Sequence, residues 1–208
     1  MKILLAAASG FCYGVKRAVN IAENTVRNCS KPVFSLGPLI HNPQVVEKMR
    51  QLGIRDVNNI DGLREGILII RSHGVTPAIL NQARAQGLEI VDATCPFVGR
   101  VQAIASDMSE QGYQVVIVGD KHHPEVHGIK GWAGNKAEVV ADAKEAIQIK
   151  VWGKVAVIAQ TTQSEENFNA VVETLERAGV VVKAYKTICN ATAERQKAAY
   201  ELARQVDM

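Results

Sequence analysis

The chain has 208 residues, 47% of them hydrophobic and 22% charged, with 24 Lys and Arg against 21 Asp and Glu for a formal net charge of +3. This composition excludes disorder, collagen and coiled coil as whole-chain descriptions, and the length holds one large domain or two small ones. The near balance of charge excludes the clustered basic face of a nucleic-acid binder and leaves room for a small acidic ligand.

In chain order, the run Ile3 to Ala8 predicts a strand, and Val15 to Arg27 predicts a helix, with Val15, Val19, Ala22 and Val26 at helical spacing. Strands are then predicted at 33–36, 67–70, 88–91, 115–118, 155–159 and 180–184, and helices at 43–51, 77–86, 96–111, 165–178 and 191–205. Apolar strands that alternate with helices imply buried parallel sheets in α/β layers. The longest apolar runs are strand-length, well short of the ~20 residues of a membrane span. The run at Ile3 to Ala8 also falls short of the ~7–15 residues of a signal-peptide core. A cytoplasmic location is therefore expected, where thiols stay reduced and cysteines point to metal or redox chemistry before disulfides.

Three of the four cysteines share one setting. Cys12 in Gly10-Phe11-Cys12-Tyr13-Gly14, Cys95 in Ala93-Thr94-Cys95-Pro96 and Cys189 in Thr187-Ile188-Cys189-Asn190 each lie between a predicted strand and a helix. An arginine follows on each helix: Arg17, Arg100 and Arg195. The two intervals are similar, so the chain reads as lobes of comparable size: 1–94, 95–188, and a short piece from 189 to 208. The first strand could belong to the first lobe or to the sheet of the third. No C-x-x-C pair occurs, which argues against a zinc ribbon or finger. Three separated loops can still bring one thiolate each to an iron–sulfur cluster, and helix N-termini favour such an anionic centre. Cys29 lies ~25 Å from Cys12 if the intervening helix rises 1.5 Å per residue, so it is read as a packing residue.

A second set punctuates the other strand ends: His41, His73, His123 and Thr161, two in each complete lobe. Strand carboxyl ends are where open α/β sheets bind ligands. The histidines can donate hydrogen bonds to phosphate oxygens. Glu125, beside His123, is either a first-turn acid favoured by the helix dipole or a proton donor. Thr161 or Thr162 either caps the helix that begins near Ser164 or relays a proton through its hydroxyl. Lys121, His122 and His127 carry no such signal and are read as surface residues. On residues alone two rivals stand beside a redox enzyme: a phosphate-ester hydrolase using His123 and Glu125, and a non-catalytic iron–sulfur or scaffold protein.

Seven fragments in order carry a resemblance. They are Ala8-Ser9-Gly10-Phe11-Cys12-Tyr13-Gly14-Val15-Lys16-Arg17-Ala18, Gly37-Pro38-Leu39-Ile40-His41-Asn42-Pro43, Arg71-Ser72-His73-Gly74-Val75, Asp92-Ala93-Thr94-Cys95-Pro96, His123-Pro124-Glu125-Val126, Gln160-Thr161-Thr162 and Thr187-Ile188-Cys189-Asn190-Ala191-Thr192. The series closely resembles the LytB (IspH) family of 4-hydroxy-3-methylbut-2-enyl diphosphate reductases, the last step of the non-mevalonate isoprenoid pathway. The resemblance implies a trefoil of three pseudo-symmetric α/β lobes around a [4Fe-4S] cluster held by Cys12, Cys95 and Cys189. It implies that ferredoxin or flavodoxin supplies two electrons, and that the allylic hydroxyl leaves as water to give isopentenyl and dimethylallyl diphosphate. By position, His41, His73 and His123 would bind the diphosphate, Glu125 would supply the proton, and Thr161 would order the substrate hydroxyl and relay. Family members continue past Cys189 with Ser- and Asn-containing diphosphate contacts that are absent from these 208 residues, so a truncated third lobe with one open flank, and poor substrate binding, are expected.

Overall fold

The structure is a computed structural model that describes residues 2–206. Two sheets organise it. The first contains β1 (Val33–Leu36), β2 (Ile54–Val57), β3 (Ile67–Ile70) and β4 (Glu89–Asp92); the second contains β5 (Gln114–Val118), β6 (Glu138–Val140), β7 (Lys154–Ala159) and β8 (Val181–Tyr185). Their orders are β2-β1-β3-β4 and β6-β5-β7-β8, the same topology twice, and every pairing is parallel. Val33 registers with both Ile54 and Ile67, and Val116 with both Glu138 and Val157.

Burial explains why these segments are strands. Ile67 to Ile70 is buried throughout, as are Val115 to Val118 and Val155 to Ala159. Such uninterrupted apolar runs have both faces covered, which requires helices on either side. α1 (Tyr13–Arg27) and α2 (Pro43–Gln51) cover one face of the first sheet through Ala18, Ala22 and Met49, while α3 (Pro77–Ala85) covers the other through Ala83. In the second sheet, α4 (Pro96–Glu110) and α5 (Pro124–Trp132) pack on one face, and α6 (Ala143–Gln148) and α7 (Glu165–Arg177) on the other. Each buried Val, Leu or Ile side chain contributes about 1.5–3 kcal/mol, so these four apolar clusters are what hold the strand ends in place. Trp132 Nε1 on α5 donates to the Val75 carbonyl at 3.0 Å, linking the two lobes beside the site.

Helix starts are sharply defined. Pro43, Pro77, Pro96 and Pro124 each occupy a first-turn position, where a missing N–H costs nothing and the fixed φ suits the helix. The residue before such a proline is held extended. Cys95 and His123 are two of those residues, with ψ of 131° and 135°.

Several elements differ from the sequence reading. β2, β6 and α6 are additional, as is the span of α5 beyond the helix start expected at Glu125: Ile54-Arg55-Asp56-Val57 is an edge strand with charged residues in its middle, and β6 has only three residues, so neither shows the apolar signature of a central strand. The strand expected at Ile3 to Ala8 is corrected. These residues pair with no strand among the described residues, and Ile3 and Leu5 are 76% and 82% exposed. A strand exists only where a neighbour completes its hydrogen bonds. After Cys189 the described chain forms one helix, α8 (Asn190–Ala203). The expected trefoil is therefore represented by two α/β lobes and this helix. Among the described residues no helix is long and apolar enough to cross a membrane.

Candidate active site

Cys12, Cys95 and Cys189 are the N-cap residues of α1, α4 and α8, and no cap hydrogen bond engages their side chains. All three line one cavity of about 290 Å³, together with His73, Glu125 and Thr161. Two matching backbone bonds set the loops. Cys95 N donates to the Ser72 carbonyl at 2.9 Å, and Cys189 N donates to the Thr161 carbonyl at 2.9 Å, so each thiol loop is tied to the end of the neighbouring central strand. Thr187 strengthens the second loop, since its hydroxyl accepts from Ala159 N and donates to Ala159 O. Two of the helix-borne arginines bind across loops: Arg17 donates to Thr94 O at 3.0 Å, and Arg195 donates to Gly10 O at 3.0 and 3.3 Å. Arg100, the third of the series, is exposed.

Gly14 keeps the space between two of the sulfurs. A methyl group on it would lie 2.5 Å from Cys95 Sγ and 4.0 Å from Cys12 Sγ. Burial pushes the Cys95 thiol above its ordinary value; the Phe97 and Val98 N–H groups oppose this, while Cys12 and Cys189 add to it. Thiolates that line one cavity and raise each other's pKa are favoured by a positive centre between them. Three thiols on separate loops around one cavity fit the ligand set of an iron–sulfur cluster. Cys29 lies past the other end of α1, packs against the first lobe's core and accepts a hydrogen bond from Lys31 N at 3.2 Å. It takes no part in this site.

On the cavity wall Glu125 is 2% and Thr161 6% exposed. Glu125 Oε1 accepts from Thr161 N at 2.6 Å, and Glu125 Oε2 accepts from Thr161 Oγ1 at 2.8 Å. Burial raises the Glu125 pKa above the ordinary carboxyl value, against the pull of those two hydrogen bonds. The alternatives for the threonines separate here: Ser164 caps α7 by accepting from Asn167 N, and Thr162 accepts from the Gln160 side chain. Thr161 alone meets the carboxyl group. Gln160 also accepts from Asp120 N at 3.0 Å, fastening the loop before His123 to the loop of Thr161.

His41, His73 and His123 converge from the ends of β1, β3 and β5. Their ring centroids are separated by 4.5 Å for His41 and His73, 5.3 Å for His73 and His123, and 5.5 Å for His41 and His123. His123 caps α5, its Nδ1 accepting from Glu125 N at 3.1 Å, which leaves Nε2 as the ring's donor in the neutral tautomer. Burial lowers His73 to about 3, assisted by the charges of His41, His123 and Arg71, and burial likewise lowers His123. Nitrogens of the three rings lie within 4.8 Å of one another, a spacing that a metal ion could also use. The charge of Arg71 is a further, smaller cause of the lowering at both His73 and His123, and it places a positive group beside the cluster that favours an anion there.

All eight residues singled out in the sequence thus lie around one cavity and its histidine-lined edge. Sequence reasoning missed Arg71. The arginine precedes the Ser72-His73 pair at a strand end, a position that carried a signal, but one basic residue beside many others did not stand out.

Comparison with known proteins matches these features to one family. A family profile described as LytB protein covers residues 3–208. The 4-hydroxy-3-methylbut-2-enyl diphosphate reductases of Geotalea daltonii and Pelobacter propionicus are each 48% identical, over 207 and 208 residues. Those alignments take in 100% of this chain and 73% and 74% of the relatives. A solved structure of (E)-4-hydroxy-3-methyl-but-2-enyl diphosphate reductase, the terminal enzyme of the non-mevalonate pathway, superimposes with a TM-score of 0.77 at 42% identity, covering 99% of this chain and 74% of that one. The E-1-hydroxy-2-methyl-but-2-enyl-4-diphosphate reductase from Plasmodium falciparum gives a TM-score of 0.88 at 27% identity, covering 95% and 64%.

Proposed function

The chain belongs to the LytB family, and we propose that it carries out reductive dehydroxylation of 4-hydroxy-3-methylbut-2-enyl diphosphate, yielding isopentenyl and dimethylallyl diphosphate in the non-mevalonate pathway. It is an oxidoreductase of isoprene biosynthesis. One observation carries the assignment of residues: three helix-capping thiols from separate loops line the same cavity as a buried Glu–Thr pair. In this reading Cys12, Cys95 and Cys189 hold an iron–sulfur cluster of the [4Fe-4S] type. When bound, it supplies electrons and an iron that polarises the substrate C–O bond.

The remaining roles belong to the chain itself. His41, His73 and His123 bind the diphosphate by donating ring N–H groups, and the arriving anion raises the His73 pKa that burial lowers. Glu125 holds a proton because burial favours its neutral form, and it hands that proton to the departing hydroxyl. Thr161, bonded to the Glu125 carboxyl group, orders the substrate hydroxyl and relays the proton. Ferredoxin or flavodoxin is the electron donor in this reading, the setting is cytoplasmic, and the lobes divide at 94/95 and 188/189.

A phosphate-ester hydrolase would use His123 and Glu125 but gives the three thiols no task. A scaffold role gives none to the buried carboxyl group. The deciding experiment is anaerobic reconstitution, followed by iron and sulfide analysis, a visible spectrum and product analysis with a chemically reduced donor. Cluster absorption with formation of both isoprenoid diphosphates is the expected result. Colourless, iron-free protein that releases phosphate from esters would replace this reading with the hydrolase.

A further inference from the structure

We propose that Arg71 is a diphosphate-binding residue of this site, its guanidinium meeting the same anion as the three histidines. This rests on the diphosphate reading above and adds a ligand to it. Arg71 follows β3 and stands two residues before His73. Its side chain is half-buried, and Nε is buried without a hydrogen-bond partner. The guanidinium lies against Gly37, which has φ +71° and no side chain to exclude it; a Cβ there would fall 2.7 Å from Nη1 and 3.7 Å from Cζ. Gly37 opens the loop that carries His41. Arg71 is therefore wedged between the His41 loop and the His73 strand end.

Among the described residues no carboxylate is seen against the Arg71 guanidinium, whose pKa is lowered by burial with no charge partner opposing it. The acids of this region are otherwise placed: Glu125 is engaged by Thr161, and Asp120 is exposed and acts on His123. Arginine stays protonated in proteins, so desolvating it without a counter-charge is unfavourable. An arriving diphosphate removes that cost and gains charge-assisted, fork-shaped hydrogen bonds. Neutral imidazoles cannot supply this fixed charge.

The test is calorimetric titration of the full chain with inorganic pyrophosphate. Arg71→Gln is expected to bind about 10- to 100-fold more weakly, and Arg71→Lys to fall between it and the parent. Unchanged affinity in Arg71→Gln would overturn the proposal while leaving the diphosphate reading intact. Absence of pyrophosphate binding by the parent chain would remove both. If Arg71→Gln loses its thermal unfolding transition, the parent chain answers instead: pyrophosphate should protect Arg71 from phenylglyoxal in peptide mass maps, and full modification at saturating pyrophosphate would refute the assignment.

Discussion

Glu125 and Thr161 stand 36 positions apart and meet through two hydrogen bonds, one from a backbone N–H and one from a hydroxyl. The first fixes the carboxyl group against the end of β7. The second places a hydroxyl where it can exchange a proton with it, in a pocket that excludes bulk water from both groups.

Glu125→Gln should therefore keep the fold and the cluster but lose the proton donor, lowering turnover by about 10²–10⁴-fold. Iron content and visible spectrum should match those of the parent. Turnover within tenfold of the parent would show that another group delivers the proton. Removal of a buried carboxyl group whose pKa is raised should also improve stability at neutral pH, because the parent must either desolvate that charge or take up a proton.

Gly14→Ala separates packing from ligation. In a helix interior this change ordinarily stabilises by about 0.5–1 kcal/mol. Here the added methyl meets Cys95 Sγ, and the thiol can escape only by turning away. An apo chain of near-normal melting temperature with markedly reduced iron after reconstitution is expected; full iron loading would show that the sulfur does not need this space.

Replacing Cys12, Cys95 or Cys189 by Ser should abolish cluster assembly, judged by iron per chain and visible absorption. Cys29→Ser should reconstitute like the parent. Equal loss in all four variants would contradict the three-thiol assignment.

His73 predicts an acid-sensitive fold. Its folded pKa of about 3 lies below the ordinary 6.5, so between those values the unfolded chain binds the proton more readily. Stability tied to neutral His73 is present above about pH 6.5 and is lost as pH falls toward 3. Melting curves across that range should show the parent losing stability relative to the non-titrating His73→Gln variant as pH falls. An unchanged gap between them at every pH would disprove it. Pyrophosphate should raise the histidine pKa values, so its binding should take up protons, measurable as a dependence of heat on buffer ionisation enthalpy.

Much of the site was legible because local signals marked it. Cysteine-proline, histidine-proline and short glycine-rich turns at strand ends are positions with few structural roles, and in chain order they carry a family resemblance. The edge strands β2 and β6 were not legible, because residues such as Arg55, Asp56 and Glu138 lack apolar alternation and acquire strand geometry only by pairing with β1 and β5. The run from Ile3 had the propensity of a strand, yet without a neighbour it remains unpaired.

The amino-acid order by itself determined the alternation of buried strands with helices, and the placement of the reactive side chains at strand ends and helix starts. Apolar periodicity and proline geometry act over a few residues, so the order alone suffices for them. Only the tertiary structure decided which junctions face one another: that Arg71 lies against Gly37 without a carboxylate partner, that Thr161 rather than Thr162 meets Glu125, and that Gly14 keeps the gap beside Cys95 open. Those relationships are distances between residues far apart in the chain, fixed by how two sheets and their helices pack, and no local pattern encodes them.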